Sequence, residues 1–363
     1  MALFETSVHT IPPQASGWPV VGHDRVIGVL RRSLRSGRVS HAYLLTGPPG
    51  VGRRTLALIF AMALNCQASA GEGGALPDVP CGMCAACTRI MRGTHPDVTV
   101  IDLETQHREE SGGRGKAPPA KELKIDTVRE LVASIGLRPH SGRFRVYIIG
   151  DADRLSEEAA NCLLKTLEEP PAHAVLVLIA PDESSVLPTI SSRCVHLPIR
   201  PLPEEVVASG LVRFWEAEPE QAELLARLCR GRLGAAVEML HDREALAKRR
   251  RALEKLSLLQ GEPVADRIRE AAEWARLFTD ARADLFSMLD TWEGWWRDVL
   301  LVGAAADELA ANTDQLPALR STASRVPVGK AAAAVRLIQR TRQQLNENVN
   351  PRLALEALAL GLP

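Results

Sequence analysis

Between Trp18 and Arg200 the chain alternates two kinds of apolar spacing. Short continuous runs have the length and composition of buried strands: "HAYLL" (41–45), "VTVIDL" (98–103), "RVYIIG" (145–150), "AVLVLIA" (174–180) and "CVHLPI" (194–199). Between them, apolar residues return every three or four positions. Ile125, Val128, Leu131, Val132 and Ile135 share one such face, which predicts a helix over 125–135. Ser156 ahead of Glu157 and Glu158 reads as an N-cap with acids in the first turn, and Pro170–Pro171 ends that helix. Alternation of this kind predicts an α/β fold, a mainly parallel sheet covered on both faces.

After "PLPEE" (201–205) the strand pattern stops and helix follows helix, with Gly231–Arg232–Leu233–Gly234 as a break. At 363 residues the chain is long enough for two or three domains. The expected division is a loose tail over 1–17, an α/β domain over 18–201, a helical lid over 202–241 and a larger helical domain over 242–363. Residues 104–121, "ETQHREESGGRGKAPPAK", are polar, punctuated by Gly and Pro and without period. They are expected to form a mobile surface insertion rather than an element.

Composition narrows the class. Hydrophobic residues at 46% and charged residues at 24% are ordinary for a soluble globular protein. No apolar run is long enough for a membrane span. The start, "MALFETSVHT", has neither the basic nor the apolar region of a secretory signal, so a cytoplasmic protein is expected. Acids and bases balance at 44 each, which argues against a free-standing nucleic-acid binder. Lysine stands only at 116, 121, 124, 165, 248, 255 and 330, so an arginine in a lysine's place can reflect compositional habit.

That habit bears on "LLTGPPGVGRRTLA" (44–57), which nearly fits the phosphate-binding pattern G-x-x-x-x-G-K-[ST]. Gly47, Gly50 and Gly52 supply the cradle between a strand and an apolar helix. Arg53 and Arg54 then replace the lysine and the magnesium-ligating hydroxyl. A guanidinium binds phosphate, but its planar fork does not fit a space shaped for an ammonium. Arg54 cannot ligate magnesium, and using Thr55 instead would turn the hydroxyl away by about 100°. On the third strand-like run, Asp151 is present for magnesium, but Ala152 replaces the expected water-activating glutamate. The site reads as hydrolytically silent, with residual nucleotide binding left open.

Cys66, Cys81, Cys84 and Cys87 are four of the 7 cysteines, and their C-x2-C steps suit a closed tetrahedral zinc site of structural type. The alternative is four incidental thiols. Cys162, Cys194 and Cys229 read as small hydrophobes. Arg193, in "LPTISSRC" (187–194), reads either as a surface arginine or as a finger serving another subunit's phosphate, and spacing does not choose.

Taken together, the glycine loop, the cysteine module, "GTHPDV" (93–98), "LLKTLEEPP" (163–171) and "ISSRC" (190–194) come in the order of the bacterial clamp-loader AAA+ family. "NVNPRLALEALAL" (348–360) resembles the last collar helix of that family. The resemblance implies an AAA+ domain with zinc module, a lid and a helical collar. Family motor subunits, gamma and tau, keep intact ATPase parts. This chain also has Ala180–Pro181 at the sensor position and Gly234 where motors carry an arginine. Four departures imply the non-motor, delta-prime type. Such a subunit sits with gamma/tau and delta subunits in a hetero-pentamer. Through that complex it meets the sliding clamp and primer-template DNA, and Arg193 serves as an arginine finger in trans. The alternatives are a weak ATPase motor, or a zinc module reading DNA. The latter is disfavoured because "CGMCAACTRIMR" (81–92) has two cations and no aromatic residue. The cluster "WEGWW" (292–296) reads as collar core or interface anchor.

Overall fold

The computed structural model describes residues 18–68, 76–110, 122–259, 261–347 and 349–363. Helix α1 (Asp24–Arg35) leads to β1 (Ala42–Thr46), the glycine loop and α2 (Arg53–Asn65). Then follow α3 (Ala85–Met91), β2 (Val98–Ile101), α4 (Leu103–Glu110), α5 (Ile125–Ile135), β3 (Arg145–Ile149) and α6 (Glu157–Glu168). Strand β4 (Ala174–Ala180), the short α7 (Pro188–Ser191) and β5 (Val195–Pro198) complete the α/β part. All strand pairings are parallel, in the order β2-β3-β4-β1-β5.

The central strands β1 and β4 are buried along their whole length, which is why their sequences are continuous apolar runs. Alternate residues feed two layers. Val146, Ile148, Val175 and Val177 pack with Leu30, Leu34, Leu56 and Phe60. On the other face, Ile149, Leu176 and Leu178 pack with Val128, Leu131, Leu163 and Leu167. Ser156 caps α6 as expected, its side chain accepting from Ala159 N.

Within "GTHPDV", Asp97 is a buried clamp. Its carboxylate accepts the backbone N–H groups of His140 at 2.6 Å and of Ser141 and Gly142 at 2.7 Å. Asn65 Oδ1 does the same for Arg143 and Phe144. Together they fix the loop that feeds β3.

One expectation is corrected. The segment 104–121 does not begin as an irregular insertion, since Leu103–Glu110 is helix α4. Its N-terminus is capped reciprocally. Asp102 Oδ1 accepts Thr105 N at 2.7 Å, and Thr105 Oγ1 accepts Asp102 N at 2.8 Å. Buried Gln106 then bonds the carbonyl of Glu122 and accepts from Lys124 N and Thr127 Oγ1. Polar bonds rather than an apolar stripe hold this helix, so periodicity did not reveal it. Residues 111–121 and the tail 1–17 lie outside the described residues.

The helices of the expected lid range, 202–241, are shared between two compact units. After β5 come α8 (Glu204–Trp215), α9 (Pro219–Leu228) and α10 (Leu233–His241). One compact unit runs to Ala222 and takes in Gly231–Glu238; the other holds Glu223–Arg230 and Met239–Pro363. The start of α10 is tied into the first unit by Leu202 N to the Gly231 carbonyl at 2.9 Å and by Gly234 N to the Gly50 carbonyl at 2.7 Å.

The second unit contains α11 (Ala245–Leu259), α12 (Val264–Asp280), α13 (Arg282–Gly303), α14 (Leu316–Ala323), α15 (Val328–Asn346) and α16 (Pro351–Gly361). Trp274, Trp292 and Trp296 form its centre with Leu285, Leu289, Ile338 and Leu355. Trp292 and Trp274 meet edge to face at 4.9 Å, and Trp292 Nε1 donates to the Ala252 carbonyl at 2.7 Å. The tryptophan cluster is therefore core.

Asp97 gives a stability test. Burial opposes its ionisation, but the three backbone N–H donors hold its pKa below the usual value. A carboxyl depressed on folding stabilises above its unfolded pKa near 3.9, and that stabilisation is lost as pH falls through the folded value. Asp97→Ala strands three N–H groups at about 1–3 kcal/mol each and should cost about 3 kcal/mol in urea unfolding at pH 7. The gap between wild type and variant should narrow toward pH 3. A cost under about 0.5 kcal/mol, the range of an ordinary surface change, contradicts the clamp.

Candidate nucleotide-loop and metal-ligating sites

The loop between β1 and α2 has the backbone of a phosphate cradle. Gly47, Gly50 and Gly52 have φ of 148°, 81° and 99°, the last two in the left-handed region that favours glycine. Two of its backbone groups, however, bond within the protein. Gly47 N donates to the carbonyls of Ala180 and Pro181, at 3.3 and 3.0 Å. The Gly50 carbonyl accepts Gly234 N at 2.7 Å and Ala235 N at 3.3 Å, from the first turn of α10. A Cβ at Gly234 would stand 2.8 Å from that carbonyl oxygen. No side chain fits there without shifting the loop.

The two arginines turn inward. Arg53 Nη1 donates to the carbonyl of Ala180, at the end of β4. Burial lowers its pKa, and the charges of Asp153 and Asp151 oppose that fall. Arg54 Nη1 pairs with Asp102 Oδ2 at 2.6 Å, across to the end of β2, and Asp102 is buried. Arg54 Nε and Nη2 are buried without a protein acceptor. Thr55 is buried on α2. Asp151 follows β3 as expected, but its Oδ2 accepts Leu103 N at 2.9 Å and so anchors the start of α4. Ala152 is buried beside it.

Sequence reasoning placed the loop, Arg53, Arg54 and Asp151 together, and the structure brings them to the same edge of the sheet. It missed Asp102 and Asp153. Asp153 is a half-buried acid whose pKa is raised mainly by desolvation. The available signal was an acid just beyond an apolar strand, as in "VTVID" and "VYIIGDAD".

The four cysteines converge. Their sulfurs lie within 4.8 Å of one another, and all are free thiols. Cys81 N approaches Cys66 Sγ at 3.4 Å, Cys84 N approaches Cys81 Sγ at 3.3 Å, and Gln67 N approaches Cys84 Sγ at 3.4 Å. Backbone N–H groups aimed at sulfur favour thiolate, the form that binds metal. Burial works against Cys84, yet donation from Cys87 N and Gln67 N brings its pKa down to about 6. Burial pushes Cys66 and Cys87 up. Four sulfurs in one cluster can hold a metal ion with no position left for water. The segment docks on α1 through Asp78, which pairs with Arg31 and Arg35 at 2.7 and 2.8 Å.

Arg193 lies in the turn between α7 and β5. Its Nη2 pairs with Glu168 at 2.7 Å and its Nη1 donates to the Thr189 carbonyl at 2.8 Å. The side chain is 35% exposed.

A glycine loop closing a five-stranded parallel sheet of this order, followed by an all-helical unit, defines an AAA+ type protein. The family is settled by two matches: "DNA polymerase III, delta subunit" over residues 22–203, and the C-terminal domain of the same subunit over 244–362. The chain belongs to the DNA polymerase III delta-subunit family. It is 29% identical over 338 residues to subunit delta' of Bacillus subtilis, covering 93% of this chain and 95% of that one. To subunit tau of Escherichia coli it is 33% identical over 225 residues, 61% of this chain but only 32% of tau, so the match spans about a third of that relative. Among solved structures, the RuvB branch migration motor of Thermotoga maritima superposes with a TM-score of 0.42 at 14% identity, over 85% of this chain and 88% of that one. A gamma subunit-related protein from the same organism gives 0.37 at 16% identity, over 92% and 97%. No helix among the described residues is long and apolar enough to cross a membrane.

Proposed function

We propose that this chain is the non-catalytic, stator-type subunit of the clamp loader of DNA polymerase III. It supports ATP-driven loading of the sliding clamp onto primed DNA by neighbouring motor subunits. The observation that carries this reading is the occupied loop: Arg53 on the Ala180 carbonyl, Arg54 on Asp102, and α10 on Gly50. A loop with these side chains lacks the magnesium hydroxyl, and its two arginines are already directed to internal acceptors. The family membership and full-length likeness to a delta' subunit support the assignment. On this reading the partners are gamma/tau and delta subunits in a hetero-pentamer, the helices of 242–363 form the collar, and the protein is cytoplasmic. The second reading, a weak ATPase motor, draws on the glycine cradle itself, whose backbone keeps the positive φ values of a phosphate loop. A cradle without the hydroxyl supports retained phosphate binding rather than turnover.

The isolated chain should show no magnesium-dependent ATP hydrolysis above background in a steady-state assay. Arg53→Lys with Arg54→Thr should not create it, because Ala152 and Gly234 remain. A rate comparable to an AAA+ motor, abolished by Asp151→Asn, establishes the motor reading instead.

Arg193 is proposed to act in trans, on a neighbour's γ-phosphate. An arginine finger is worth roughly 10³–10⁵ in rate in GTPases, diluted here because only one motor site faces this subunit. Arg193→Ala should leave assembly and nucleotide binding intact while lowering DNA- and clamp-stimulated ATPase of the reconstituted complex. Wild-type clamp loading by an intact mutant complex removes the role.

The metal is proposed to be zinc. Tetrahedral Zn–S bonds of about 2.3 Å require sulfurs about 3.8 Å apart, within reach of the observed cluster. Elemental analysis of chain purified without chelator should find one zinc per chain. Cys84→Ser should make residues 66–91 protease-sensitive without changing nucleotide binding. Absence of stoichiometric zinc rejects the site.

A further inference from the structure

Between α11 and α14, over the side of α13, the second unit encloses a recess of 390 Å³, within the size range of small-ligand sites. Arg250, Ser257, Trp295, Ser321 and Arg325 line it, with Glu254 as its one acid. Arg250 makes no ion pair among the described residues. Arg325 donates through Nε to the Ser321 carbonyl at 3.1 Å, which leaves both Nη groups uncommitted. This distinguishes the recess from its neighbour of 230 Å³ on the same helix, whose Lys248, Arg251 and Lys255 pair with Asp284, Glu244 and Glu270.

Trp295 supplies the second observation. It is only 8% exposed. The indole N–H groups of Trp274 and Trp296 are sealed from solvent, whereas that of Trp295 is neither sealed nor hydrogen-bonded among the described residues. A largely buried tryptophan on the wall of a recess, with its N–H not sealed from solvent, can donate to a ligand there. Two guanidinium forks, an indole N–H, the hydroxyls of Ser257, Ser321 and Thr322 and the Gln315 amide therefore surround one volume against a single carboxylate. That donor excess matches an oxyanion with several acceptor oxygens, and the paired N–H geometry of arginine suits a phosphate.

We propose that this recess of the second unit binds a phosphate group through Arg250, Arg325 and Trp295. The proposal stands apart from the subunit's role and from the glycine loop, which lies in the other unit. The phosphate comes either from a small free polyphosphate or from the backbone of single-stranded DNA. To separate these, the full chain is titrated with sodium pyrophosphate and, separately, with a short oligothymidylate, read by calorimetry and tryptophan fluorescence. Saturable binding of one equivalent of at least one probe is expected, and which probe binds identifies the source. Arg250→Ala with Arg325→Ala should weaken it at least about tenfold, the loss of charge-assisted contacts. The corresponding lysine variants should retain part of it, since they keep the charge and lose the fork. Both arginines are exposed, so unfolding midpoints should be unchanged, and Lys248→Ala in the neighbouring recess should bind normally. No saturable binding of either probe, or full affinity in the double alanine variant, overturns the proposal.

Discussion

A guanidinium removed from water has to keep acceptors inside the protein, and two of them sit where the glycine loop meets the sheet. Leaving such a charge unpaired is costly, whereas a buried pair with good geometry roughly balances its desolvation. Arg53 meets this demand with a backbone carbonyl and the nearby Asp151 and Asp153, and Arg54 with Asp102. Each contact crosses to a different strand end: β4, β3 and β2. The loop, the helix behind it and three strands are thereby fixed by the residues that a phosphate site would have used for its ligand. Docking of α10 on the Gly50 carbonyl completes the arrangement from the other side.

The α/β architecture was legible because its signals are local. Each of the five strand-like runs became a strand within a residue or two, and the periodic face of 125–135 became α5. Glycine at 47, 50 and 52 gave the cradle, and four cysteines gave the cluster. What was not legible depends on partners distant in sequence. Asp102 finds Arg54 across 48 residues. Helix α4 is held by a polar cap and by Gln106, whose bonds reach residues 122–127. The docking of α10 is of the same kind, since no local pattern says that the Gly234 backbone will bond to Gly50.

The second unit shows how adjacent positions on one helix acquire opposite fates. Arg249 is buried, pairing with both oxygens of Asp314 at 2.8 Å and with Asn312 at 2.7 Å. Asn312 in turn donates to Asp298, whose carboxylate also accepts Ala311 N and Asn312 N. This network fixes the segment that leads into α14 against α11. A step of about 100° along the helix turns Arg250 away from that network and toward the recess. The rigidity bought by the first arginine is what allows the second to stand in a defined place without a partner.

Arg193 presents the converse case, an exposed cation held by a weak restraint. Its pair with Glu168 leaves the two side chains 35% and 53% exposed, and exposed pairs are worth only about 0–1 kcal/mol. The bond to the Thr189 carbonyl, in the four-residue helix α7, sets the direction of the side chain. The turn carrying it is anchored by buried Ile190 and by β5 pairing with β1. The backbone is therefore rigid while the guanidinium is only loosely engaged. On the proposed reading these two properties belong together. A finger has to be aimed before its partner arrives, and it must exchange one carboxylate for a more highly charged phosphate at little cost. Glu168 satisfies the charge in the meantime.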